Sequence, residues 1–118
     1  LQIDPHLALD FLDKENPSHF MMLSQCFTEL SDFPEALSYV NKFIDYNPCD
    51  IKGFLAGGWI SIEMQAYDDA ANFFDMALGV NMMSPEAIYG KGLVLKEKGE
   101  SYKSYQTILT QIDKELVI

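Results

Sequence analysis

Residues 51–84 read IKGFLAGGWISIEMQAYDDAANFFDMALGVNMMS. Two helical patterns lie in this stretch. Phe54, Trp59, Ile60, Ile62 and Met64 belong to a first segment, and Ala70, Ala71, Phe73, Phe74, Ala77 and Leu78 to a second. A short connector, Gln65–Ala66, separates them. The blocks before and after it, 17–50 and 85–118, have the same length. Superimposed without a gap, the three blocks agree column by column. Phe20, Phe54 and Ile88 coincide, and so do Ser24, Gly58 and Gly92. Ala36, Ala70 and Ser104 form a column of small residues, and Val40, Phe74 and Ile108 an apolar column four places later. In the next column, Phe43, Ala77 and Gln111, only the first two fit. Glutamate recurs unchanged at Glu29, Glu63 and Glu97. A fixed period of this length marks a repeat architecture.

Boundary residues agree with paired helices. Ser84-Pro85-Glu86 reads as an N-cap, a first-turn proline and a first-turn acid, and Asn16-Pro17 reads the same way. Asn47-Pro48 stops the helix before it. The pattern predicts helices near 17–30, 33–46, 51–64, 67–81, 85–98 and 101–116. A shorter helix is expected from about Pro5 to Lys14, capped by Asp4. No β-rich run interrupts the alternation. The expected fold is all-α: a right-handed α–α solenoid of three helix-turn-helix repeats (17–50, 51–84, 85–118). Residues 1–16 are then an N-terminal helix or the remnant of a preceding repeat. The start at Leu1 rather than Met suggests a fragment or a processed chain.

Paired helices on this period resemble the tetratricopeptide-repeat (TPR) family, over residues 17–118. That family sets a bulky and then a small residue on its first helix, as Phe54 with Gly58 and Ile88 with Gly92 do. It sets alanine early on the second helix, matched by Ala36 and Ala70, and an apolar residue four places on, matched by Val40, Phe74 and Ile108. A small residue three places later is matched by Ala77 alone, and a closing proline by Pro48 alone. Met82 stands where the second proline would be, and Ser104 and Gln111 also depart from the pattern. Small residues let paired helices approach within about 8–10 Å.

Composition bounds the function. The 118 residues carry 18 acids against eight bases, a net charge of −10, and all eight bases are lysine. A basic patch for nucleic acid cannot be assembled, and anionic membranes are disfavoured. No run of 18 uncharged apolar residues exists to insert into a membrane, and no basic segment precedes an apolar run as in a signal peptide. Cys26 and Cys49 make neither a disulfide scaffold nor a four-cysteine zinc site. Two free thiols favour a reducing compartment, hence the cytoplasm. His6 and His19 lack metal spacing, and His19 reads as an ordinary, partly exposed side chain. Asp68, Asp69 and Asp75 lack the glycine and alternating acids of a calcium loop. Gly57-Gly58 lies inside a helical pattern, where close packing explains it better than phosphate binding. Nothing points to an enzyme, a metal or a cofactor.

The TPR resemblance implies that the first helix of each block lines an inner groove. Its apolar centre would comprise Met21, Met22, Leu55, Trp59, Tyr89 and Leu93, with Gln25 and Ile62 beside them. Methionine adapts to irregular partners, and tryptophan and tyrosine are favoured anchors. Ala56 and Gly90 would leave room for pockets. The alternative is that these side chains pack on Pro5–Lys14 or on one another as core. Glu29, Glu63 and Glu97 read either as solvated helix ends or as an acidic rim selecting basic, amphipathic segments. The family's chaperone-tail binders hold a carboxylate with cations. Met21, Gln25, Ala56, Glu86 and Gly90 stand at the matching positions and offer none. The expected function is a protein-interaction module that holds an extended or helical segment of another protein. A narrower form is a small chaperone, by resemblance to three-repeat bacterial secretion chaperones. The competing reading is a solenoid segment of a larger scaffold. Tyr105, Ile108, Leu109, Ile112 and Leu116 give the last helix an apolar face whose cover is not evident, so further repeats or a homodimer are expected there.

Overall fold

Side-chain caps start most of the helices, and left-handed residues turn the chain between partners. In the computed structural model, which describes residues 4–118, the order is α1 (Pro5–Phe11), a 3-10 turn (Pro17–His19), α2 (Phe20–Glu29), α3 (Phe33–Tyr46), α4 (Ile51–Glu63), α5 (Tyr67–Val80), α6 (Pro85–Glu97) and α7 (Lys103–Ile112). There is no strand among the described residues. Residues 1–3 of the expected N-terminal segment lie outside the described residues. Asn16, Asp50 and Ser84, each one block after the last, accept a backbone N–H at the start of a helical segment. Asp4 and Asp32 do the same for α1 and α3. Each such cap is worth about 1 kcal/mol.

Ser31 and Gln65 have φ 58° and Gly99 has φ 76°, at equivalent places in the three blocks. The residue after each donates its N–H back to a carbonyl five positions earlier: Asp32 to Phe27, Ala66 to Ser61, Glu100 to Leu95, at 2.8–2.9 Å. These bonds satisfy carbonyls that a helix end leaves unpaired. The reversal lays α2 on α3, α4 on α5 and α6 on α7, and the second helix of a pair packs on the first helix of the next. No helix of the described residues is long and apolar enough to cross a membrane.

Small residues bring the layers together. Phe20, Phe54 and Ile88 are buried, as are Ser24, Gly58 and Gly92 below them. A Cβ on Gly57 would fall 2.6 Å from the Phe73 ring and one on Gly58 2.6 Å from the Phe74 ring, so this pair is a helix-packing surface. Phe74 also faces Gly90, where an added Cβ would collide with the ring. One phenylalanine is thus seated in glycine notches on two successive inner helices.

Three helix bounds differ from expectation. α1 stops at Phe11 because Leu12 turns extended and Asp13 folds into a local turn, its carboxylate accepting from Glu15 and its N–H donating to His19 Nδ1. Pro17–His19 is a 3-10 turn, so α2 starts at Phe20. α7 spans only Lys103–Ile112; its N-cap, Tyr102, makes no side-chain capping bond. It starts two places later in the repeat frame than α3 and α5, and this changes which face is buried. Leu109 is fully buried and Tyr105 packs near Gly92, whereas Ile108, aligned with Val40 and Phe74, is 38% exposed. The expected bare end face is also partly covered. Residues 113–118 turn back, and Ile118 packs with Ile88 and Leu109.

A candidate protein-binding groove

The inner surface is built on α4 and α6. Leu55, Trp59 and Ile62 project from α4 onto the core of Ala70, Phe74 and Val94. The Trp59 indole stands edge-on to Phe74, ring centres 5.1 Å apart, and tilted to Tyr89 of α6 at 6.2 Å. Tyr89 and Leu93 rest on the neighbouring core of Ile88, Leu109 and Ile118. All five are partly buried, so each has one side on the core and one toward solvent. These side chains finish the core and leave apolar surface toward solvent.

From α2, Met21 is partly buried and Gln25 exposed, its amide 3.5 Å from the Glu29 carboxylate. Met22 is 47% exposed and stands in the column of Ala56 and Gly90. Those two meet the preceding pair: Ala56 packs with Ala36 and Val40 of α3, and Gly90 on Phe74 of α5. The expectation that Ala56 and Gly90 open pockets in the groove is therefore overturned. Their small size is consumed by helix packing. Two surface clefts lie elsewhere, one along residues 47–51 with Val80 and Asn81, the other along residues 99–107.

Glu29, Glu63 and Glu97 are the last residues of α2, α4 and α6, and all three are exposed. A carboxylate at a helix C-terminus meets the negative end of the macrodipole, unfavourable by about 0.3–1 kcal/mol. Folding alone does not favour glutamate there. Between α6 and α5, Lys91 pairs with Asp75 at 2.8 Å and Lys98 with Asp68 at 2.6 Å, so these cations are already engaged.

No protein-family model matches the chain, and none of the curated proteins matches it. Solved structures do. A MamA RS-1 double mutant superimposes with a TM-score of 0.83 at 18% identity, over 95% of this chain and 67% of that one. Another MamA crystal structure gives 0.78 at 17%, over 93% and 65%. YrrB, described as a TPR protein with an unusual peptide-binding site, gives 0.74 at 16%, over 95% and 58%. The fold is that of a TPR solenoid. The chain spans about two thirds or less of these proteins' lengths, and identities this low speak for the fold alone.

Within this TPR fold, two features escaped the sequence reading. Phe74 supports Trp59 from beneath; its signal was the pairing of a large residue with interior glycines in register. The return of Ile118 onto Gly92 had no periodic signal, because it breaks the register.

Proposed function

We propose that the chain is a non-enzymatic protein-interaction module of three TPR repeats (17–50, 51–84 and 85–118) whose inner face holds a segment of another protein. The observation carrying this is the Trp59–Tyr89 pair, set on Phe74 with one face left toward solvent. Met21, Leu55, Ile62 and Leu93 extend the apolar surface, Gln25 gives it a polar member, and Met22 borders it at the α2 end. An apolar surface with aromatic anchors spread over successive helices suits an extended or helical segment of another protein. The acidic ends Glu29, Glu63 and Glu97 favour lysine or arginine beside the segment's apolar residues. Service as a chaperone for such a segment is one form of this activity, in a reducing cytoplasm that suits the free thiols Cys26 and Cys49.

Selection of random displayed peptides against the full chain tests the reading. Sequences with two or three spaced apolar residues and nearby lysine or arginine are expected. Glu63→Lys should slow their association and flatten its salt dependence. Acidic winners, or winners indifferent to Glu63→Lys and Trp59→Ala, would count against it. A second reading, a segment within a longer stack, is favoured by α1. Leu9 and Leu12 cover the first core, while Leu7 and Phe11 stand 57% and 82% exposed, where a further layer would rest.

A further inference from the structure

The end of the stack holds a second feature, independent of the inner groove. In the middle pair, Gly58 receives the ring of Phe74 from the following helix. In the last pair, the register shift of α7 keeps Ile108 away from Gly92. The notch is filled instead by Ile118, whose Cδ1 occupies the space that a Gly92 Cβ would need. The backbone of the returning segment is held at two points by one side chain. Gln106 Oε1 accepts the Ile118 N–H at 2.8 Å, and Gln106 Nε2 donates to the Leu116 carbonyl at 3.0 Å. Lys96 Nζ lies 3.4 Å from the Ile118 carbonyl oxygen. Leu116 is partly buried and Ile118 8% exposed, while Val117 between them is 70% exposed. Alternating burial with a two-point backbone clamp is how an extended peptide is read. The linker, Asp113–Glu115, is exposed and held only by local turn bonds.

We propose that the notch on α6 and α7 is a recognition site for an extended aliphatic segment, filled in cis by residues 116–118, and that its occupant in trans is the same segment of a second copy. With the plug in place, Gly92 is covered from within the chain. With the plug exchanged, two chains are joined through identical contacts.

Removing Asp113, Lys114 and Glu115 from the full chain tests this. It joins Ile112 to three residues that extend about 10 Å at most and takes away the turn, closed by Leu116 N–H on the Asp113 carbonyl, through which the segment doubles back. The shortened chain should elute as a dimer in light scattering at tens of micromolar, and Gly92→Val, which fills the notch, should return it to monomer. A shortened chain that stays monomeric, or a dimer that survives Gly92→Val, overturns the proposal. A second measurement uses no deletion. A labelled DKELVI peptide, residues 113–118, should bind the full chain carrying Ile118→Asp. It should bind wild type, where the site is filled, about tenfold less, and lose a similar factor when Gln106→Ala is added to Ile118→Asp. Equal binding to all three, or to none while circular dichroism shows the helices intact, contradicts it.

Discussion

Phe74 shows how one side chain couples the fold to the surface that it presents. Its ring is fully buried, notched into Gly58 and Gly90 and supporting the edge of Trp59. A glycine inside a helix sacrifices about 1 kcal/mol relative to alanine; here the loss is offset by an approach that a methyl would block. Gly58→Ala should therefore destabilise, because overpacking costs about 1–3 kcal/mol and Phe74 has no free side to retreat to. Gly79 of α5 is the control. Nothing lies within 4 Å of its would-be Cβ, so Gly79→Ala should stabilise by about 0.5–1 kcal/mol. Urea unfolding of the two variants should move the midpoint in opposite directions; a shift of the same sign would refute the packing role of Gly58. The turn residues offer a second comparison. Ser31 and Gln65 adopt the left-handed conformation that Gly99 adopts without strain. Gln65→Gly should raise stability by up to about 1 kcal/mol, and an unchanged melting temperature would mean that the turn is not strained. The glycines in α4 were legible as packing residues because no other role suits a helix interior. Which ring each would meet was half legible, through the column that aligns Phe74 with Val40.

α3, α4, α5 and α6 were readable nearly to the residue, since Ser84-Pro85 marks the start of α6 and the apolar face repeats in register. α7 was not, for a physical reason: Ser104, Ile108 and Gln111 were aligned by counting, but the two added turn residues rotate the helix, so that Leu109 takes the buried place. Two ion pairs bind elements across the α5–α6 layer, Lys91 with Asp75 and Lys98 with Asp68. Lys98, the C-cap of α6, meets Asp68 in the first turn of α5 at 2.6 Å. The hydrogen bond from Lys98, and then its charge, hold Asp68 below the usual carboxylate range; the bond to Asp68 in turn raises Lys98 above the usual lysine range. The lowered Asp68 contributes stability above the ordinary carboxylate range and loses it as pH falls through its folded value. The raised Lys98 contributes below the ordinary lysine range and loses it as pH rises through its folded value. The melting-temperature difference between wild type and Lys98→Met should thus be widest at about pH 5–9. It should close toward both extremes and shrink in high salt, because the pair is solvent-exposed. A difference that is constant with pH would show that Lys98 acts through packing alone.

The whole molecule measures 45 × 29 × 25 Å with a radius of gyration of 15.1 Å, against about 13.5 Å for a compact chain of this length. Elongation is the outcome of stacking pairs without closing them, and it spreads one inner surface over α2, α4 and α6. The gapless period made that architecture legible, and it is the TPR resemblance that marks α2, α4 and α6 as the lining of the proposed groove. That Gly90 opens no pocket was not legible, because it depends on where the Phe74 ring goes. Neither was the covering of Gly92 by Ile118, which follows no column of the repeat. The central claim is that the outward side of the Trp59–Tyr89 pair is a binding surface, and the lone tryptophan allows it to be read directly. In the free chain, Trp59 emission should be partly quenched by acrylamide, as a half-covered ring would be. Titration with a peptide selected on the full chain should shift the emission to the blue and shield it from acrylamide. Tyr89→Ala, which removes the neighbouring ring, should weaken that peptide by about 2 kcal/mol. An indole that acrylamide cannot reach in the free chain, and whose emission the bound peptide leaves unchanged, would contradict the claim and make Trp59 a core residue.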